Sequence, residues 1–425
     1  MTTRKCQRTC QHRILCLLLL LTSACQTTET PSQLRIGTLL PITGDLAAYG
    51  SSMQNSARLL VDTVNACGGI LGQPVEMLSQ DDQTEPAAAA AAMTQLAEVN
   101  RVAGVVGGVS SATASAEVGI AVRNRVILIS PSSTSPVFTE RARNGDFQGF
   151  WFRTAPPDTY QGEALARLAK AQGIESVAIL AINNDYGNGL ISSFIPAFEA
   201  LGGRVPNKSS PARYPPDSTT FDSVVAAAYS SKPDAVLLIA YPETGSLVLK
   251  TAYQQGLLGK ETRLLVTDGM KKTEIADLVG KNAKGEYIAT GIVGTAPSAG
   301  GPAFKDFRER FRAQYRREPE VFDPNTWDAT ALLLMAAEAA KSTDSSVIKD
   351  RIRDVANPPG EAVTDVCQAL SLIREGKEVN YQGASGNVDL NPLGDVTGSY
   401  DVWTVEPDGS VRVIGAIAVS GEGNK

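Results

Sequence analysis

Two serine-rich turns stand where the chain could grip a negatively charged group. Gly107-Gly108-Val109-Ser110-Ser111 and Ser130-Pro131-Ser132-Ser133-Thr134 each follow a short apolar run that reads as a strand. Hydroxyl groups and the N–H groups of a helix start are the donors a carboxylate needs, and the helix dipole reinforces them. Ser110, Ser111, Ser132 and Thr134 are candidates on that ground, though the same residues also suit helix caps and turns. A positive group needs a carboxylate instead. Thr267-Asp268-Gly269 follows the run 263–266 and offers Asp268, which is equally at home in an Asp-Gly turn. Tyr49, Tyr186 and Tyr241 also follow strand-like runs and could wall a site, or be loop aromatics.

Other chemistry is mostly excluded. The sole histidine is His12, so nothing beyond the first residues can build a Ser-His-Asp or Cys-His arrangement or a zinc site containing histidine. There is no G-x-S-x-G elbow, no P-loop and no G-x-G-x-x-G fingerprint. No catalytic residue, metal or cofactor is implied. Asp81-Asp82 reads as a solvated strand end. These absences favour a binding protein over an enzyme.

The start of the chain reads as an export signal. Arg4, Lys5, Arg8 and Arg13 precede the apolar run 14–21, which ends in Thr22-Ser23-Ala24-Cys25. The run is far shorter than the roughly 20 residues of a membrane-spanning helix. A cysteine after small residues resembles a bacterial lipobox, so Cys25 is a candidate for lipidation after removal of residues 1–24. Residues 25–33 then form a polar, lipid-anchored tether. The leader holds four of the 39 Lys and Arg and none of the 45 Asp and Glu, so the remainder is more acidic than the overall −6. That balance argues against nucleic acid as a partner. Beyond the leader only Cys67 and Cys367 remain; in an oxidising compartment they could pair or stay as two thiols.

Short strands alternating with helical periods position these residues. Strand-like runs at 34–40, 75–78, 102–106 and 126–129 alternate with helical spacing at 51–66, 84–99 and 110–123. The rhythm restarts beyond 157, with strands at 176–182, 235–239 and 263–266 and helices at 160–171, 189–200, 221–230 and 244–255. Helices at 328–340 and 345–355 follow, then short strands from 400 to 419. Two such series in a chain of this length predict two doubly wound parallel α/β lobes. Ligands then bind beyond the carboxyl ends of the strands, which is where the serines, Asp268 and the tyrosines fall.

Taken in order, these residues resemble a known family. Gly37-Thr38-Leu39-Leu40-Pro41-Ile42-Thr43-Gly44, Tyr49-Gly50 and Asn65-Ala66-Cys67-Gly68-Gly69-Ile70-Leu71-Gly72 look like the branched-chain and neutral amino-acid binding proteins of ABC importers. Ser110-Ser111, Ile129-Ser130-Pro131, Phe152-Arg153-Thr154, Asn184-Asp185-Tyr186-Gly187 and Thr267-Asp268-Gly269 continue the likeness. The resemblance implies a type I periplasmic binding protein, its lobes joined by a three-strand hinge. The first lobe would hold 34–157 and 295–388, the second 158–294 and 389–425. Ser111, Ser132 and Thr134 would take the ligand's carboxylate and amine. Asp268, one methylene shorter than the glutamate of better-known members, would help hold the ammonium. Tyr49 and Tyr186 would cover the ligand, and Ala240 or Tyr241 would add a contact. The implied setting is a periplasmic lipoprotein anchored to a membrane, with an amino acid as ligand and ABC permease subunits as partners. Amide or urea binding, or ligand sensing on the same fold, are the alternatives. Cys67 and Cys367 would share a lobe.

Overall fold

The computed structural model describes residues 33–259 and 261–419. The expected leader, Cys25 and the tether through residue 32 lie outside the described residues. Among the described residues no helix is long and apolar enough to cross a membrane.

The first sheet holds β1 (Arg35–Leu40), β2 (Glu76–Asp81), β3 (Gly104–Gly107), β4 (Ile127–Ser130) and β5 (Trp151–Arg153). All pair in parallel, in the order β2-β1-β3-β4-β5. β3 and β4 are buried along their whole length, as strands are when helices cover both faces of a sheet. Helices Ala47–Ala66 and Asp323–Ala340 supply one cover, through Leu60, Val61, Leu332 and Met335. Helices Pro86–Thr94 and Ser111–Asn124 supply the other, through Met93, Ala114 and Val118. Gly104 makes room for the first cover, since a Cβ there would stand 2.7 Å from Leu333 Cδ1.

The second sheet repeats the pattern with β6 (Val177–Ile182), β7 (Ala212–Tyr214), β8 (Ala235–Ile239), β9 (Arg263–Val266) and β10 (Val293–Pro297), ordered β7-β6-β8-β9-β10. A parallel pair, β11 (Glu361–Val363) with β12 (Val379–Tyr381), stands apart on the first lobe. β13 (Tyr400–Val405) and β14 (Val411–Ile417) close the chain as a hairpin added antiparallel beside β10. The parallel strands expected for the second lobe are present, and the short terminal strands make its sheet mixed. The short turn at Pro407-Asp408-Gly409 can join only antiparallel strands.

The chain passes between the lobes three times: from β5 to helix Asp158–Ala171, from β10 to helix Phe304–Tyr315, and into β13. The last passage comes later than 388/389. Leu390 and Val396 pack in the first lobe's core, and the Gly394 carbonyl accepts the Arg153 N–H at 2.9 Å. We place this boundary at 397–399. Cys67 and Cys367 both lie in the first lobe with Cα atoms 5.9 Å apart, joined as a disulfide.

In each sheet the strand order reverses at one point, between β1 and β3 and between β6 and β8. The crevice beyond those strand ends is the expected ligand position of such a sheet. The two crevices face each other.

Candidate functional site

Ser110 caps helix Ser111–Asn124: its Oγ accepts the Thr113 N–H at 3.0 Å. Ser110 is thus a helix cap that also lines the cavity between the lobes. Ser111 opens the helix beside N–H groups that no carbonyl of the same helix can satisfy. Its Oγ accepts the Ser135 N–H at 3.2 Å, which leaves its own O–H to donate. Ser132 donates to the Val109 carbonyl at 3.0 Å, so it meets the cavity as an acceptor. This loop is held from behind by Arg153, which is fully buried. Its Nη1 donates to the Ser133 and Ser135 carbonyls at 3.1 and 3.0 Å, and its Nε to Asp395 at 2.6 Å.

The second lobe brings up Asp268 directly after β9. Tyr186 donates to its Oδ1 at 2.7 Å. Tyr186 lies in the first turn of helix Asp185–Ala200, where Asn184 caps by accepting the Gly187 N–H. Asn184 also donates to the Tyr241 hydroxyl at 3.3 Å, and the rings of Tyr186 and Tyr241 stack at 5.4 Å. Burial raises the Asp268 carboxyl above its usual range, opposed by the hydrogen bonds from Tyr186 and Gln161.

Sequence reasoning missed the partner of Asp268. Asp158, at the start of helix Asp158–Ala171, is completely buried. Burial first, and then the charge of Asp268, push its carboxyl well above the usual range, opposed by the Thr134 hydroxyl and the Arg153 guanidinium. Gln161 Oε1 is buried without a partner. Thr134 is tied to this spot by its carbonyl, which accepts the Asp158 N–H at 2.8 Å. Asp158 follows two prolines in the first passage between lobes, a place with no strand-end signal to mark it.

Apolar groups complete the walls. Leu46, Tyr49, Val109, Phe322, Tyr186 and Tyr241 line the cavity. Of these, Leu46, Val109 and Phe322 were not singled out from the sequence. Tyr49 crosses the cleft, donating to the Lys271 carbonyl at 3.0 Å, and meets Phe322 edge-on. The core of the second lobe runs through these residues into the first, taking in Leu40, Met53 and Val321. Ala240 is fully buried in that core, whereas Tyr241 reaches the cavity. In this closed arrangement the cavity measures about 20 Å³, little more than a water needs. A solute therefore enters with the lobes apart. The expectation that Asp81-Asp82 is solvated fails for Asp82, which is fully buried and accepts the Thr84 N–H.

Residues 52–408 match the family described as the receptor family ligand binding region. The chain belongs to that family. It is a type I periplasmic binding protein of the branched-chain amino acid group. This binding protein is similar to the chemotactic signal transduction system substrate-binding protein BasB of Halobacterium salinarum. The two are 29% identical over 373 residues, 85% of each chain. The crystal structure of a leucine binding protein, LivK, from Thermotoga maritima superposes with a TM-score of 0.75 at 27% identity, covering 90% of this chain and 98% of that one. At the level of fold, the binding protein also resembles a solute binding protein of an R. palustris ABC transporter in complex with benzoate. There the TM-score is 0.71 at 20% identity, over 92% of this chain and 99% of the other.

Proposed function

We propose that this protein is the extracytoplasmic solute-binding component of an ABC importer and that its ligand is a small neutral amino acid. The observation that carries the ligand class is the pair of buried acids at the cleft, Asp268 on the cavity wall and Asp158 beside it, each raised by burial. Two carboxylates in a closed, low-dielectric site either hold a proton or share a cation. An amino acid brings an ammonium; benzoate and urea bring none. In this reading Asp268, Asp158 and Thr134 receive the ammonium. Ser111 and the start of helix Ser111–Asn124 receive the carboxylate, with Ser110 holding that helix start. Ser132 accepts from the ammonium side, and the aromatic and aliphatic walls take an apolar side chain.

The rest of the proposal concerns setting. Residues 1–24 would direct export, Cys25 would carry the lipid, and the closed lobes would present one surface to the permease subunits. Binding rather than catalysis is favoured because the cavity is lined by serine hydroxyls, aromatic and aliphatic side chains and Asp268. The likeness to BasB supports a second reading, in which the same closed form is offered to a signalling partner.

A thermal-unfolding screen of the soluble form tests the ligand class. At 100 times its dissociation constant a true ligand adds about 2.7 kcal/mol. We expect shifts with small neutral amino acids and none with benzoate, urea or simple amides. Shifts confined to benzoate or urea would end the amino-acid reading.

A further inference from the structure

Helix Pro242–Gln254 of the second lobe starts without a cap of its own. Tyr241 occupies the cap position, and its side chain accepts nothing from the helix. The cap comes from the other lobe. Asp45 accepts the Thr244 N–H at 3.1 Å and the Thr244 hydroxyl at 3.0 Å, although 199 positions separate them.

The loop that carries Asp45 is fixed in advance. Asp81 accepts the Ile42 and Thr43 N–H groups at 2.9 and 3.2 Å and the Thr43 hydroxyl at 2.7 Å. Gly44 adopts φ +89°, and a Cβ there would stand 2.0 Å from the Gln83 carbonyl oxygen. The Leu46 N–H donates to Thr84 Oγ1 at 3.0 Å. Asp45 is thus delivered by the first lobe as a rigid feature. Leu46 and Tyr49, just after it, and Tyr241, just before the helix it caps, are walls of the cavity.

We propose that Asp45 is a closure latch, a helix cap donated across the cleft that sets how long a ligand stays without touching it. The inference rests on the cleft being the ligand site. When the lobes part, the Thr244 N–H and hydroxyl lose their carboxylate and the helix start must turn to water. Burial already pushes the Asp45 carboxyl up to about 6, opposed by the two Thr244 donors, so closure removes much of its hydration. The loss of an N-cap is worth about five- to tenfold in an equilibrium of this kind. That factor should appear in ligand departure, because an enclosed solute leaves only when the lobes part and the cap breaks.

The experiment compares the full chain with Asp45→Ala, Asp45→Asn and Thr244→Val. Interlobe distance is read with paired spin labels at exposed Val99 and Leu201, and amino-acid association and dissociation by stopped flow. Asp45→Ala should shift the ligand-free closed fraction about five- to tenfold toward open. Dissociation should quicken by the same factor, with association unchanged. Asp45→Asn keeps one acceptor for the Thr244 N–H and should recover part of the effect; Thr244→Val should fall between. A closed fraction and a dissociation rate that match the parent in Asp45→Ala overturn the latch. If no amino acid binds the parent protein, the amino-acid assignment fails by itself, and the ligand-free distances still decide the latch.

Discussion

In the proposed site Asp268 and Asp158 divide the work of holding one ammonium. Asp268 already has the Tyr186 hydroxyl and lies at the cavity wall, so it can meet an ammonium without rearrangement. Replacing it by alanine leaves that ammonium buried without its main counter-charge, a loss of about 3 kcal/mol. Calorimetry on Asp268→Ala should show affinity for a neutral amino acid weakened about a hundredfold. Asp158 predicts a pH effect. Its carboxyl, raised by burial and by Asp268, keeps its proton above the usual carboxylate range, and a neutral acid attracts an ammonium less than a carboxylate does. Affinity should therefore strengthen as pH rises beyond that range, and Asp158→Asn should flatten that slope. An unchanged slope in the variant would remove Asp158 from the ammonium end. Asp268 was legible because it ends a strand-like run before glycine. Asp158 was not, since its significance comes from the approach of a second lobe that no local pattern records. Arg153 was visible only as part of a motif. Its task of tying down the serine loop through two carbonyls has no sequence signature.

Among the elements, the strands read well and the helix starts less well. Helices anticipated at 189 and 244 begin at Asp185 and Pro242. Their first turns contain polar residues and glycine that mask the apolar period, while Asn184 as a cap and Pro242 in the first turn are what start them. The earlier starts matter because they put Tyr186 on a helix and Tyr241 at a cap, which orients both rings. β5, β7 and β10 escaped notice: β5 and β7 are only three residues long, and β10 contains Gly294 and ends at Pro297. Helix Asp185–Ala200 also carries a steric prediction. Gly189 faces the first lobe so closely that a Cβ would stand 2.6 Å from Ser135 Oγ and 2.8 Å from Pro136 Cδ. Gly189→Val should keep the lobes from meeting, at an overpacking cost of about 1–3 kcal/mol. We expect at least a tenfold weaker ligand and an unchanged thermal midpoint without ligand. Full affinity in that variant would mean that the two elements separate at little cost.

The whole molecule holds an unusual number of buried acids. Asp45, Asp82 and Asp328 are pushed up to about 6 and Asp323 to about 7, in each case chiefly by burial. A carboxyl raised from its ordinary 3.8 binds its proton more tightly in the folded chain. Its contribution is complete below about pH 4 and is lost as pH climbs through 6 to 7. Groups shifted the other way set the lower limit: Glu318, held low by Arg308, gives up its share as pH falls below the usual carboxylate range. The thermal midpoint should peak near pH 5 and decline toward 8; scanning calorimetry across that interval would contradict this if the midpoint rose.

The first lobe is assembled from two distant stretches of chain, and this has a consequence for biogenesis. β1 to β5 are complete by Arg153, yet Val106, Ile127 and Ile129 share a core with helix Asp323–Ala340, which is made about 170 residues later. A chain emerging from its N-terminus carries an uncovered oily face while residues 154–322 are being made. Such a nascent chain is a natural client for a holding chaperone, and products cut short before residue 323 should be recovered in inclusion bodies.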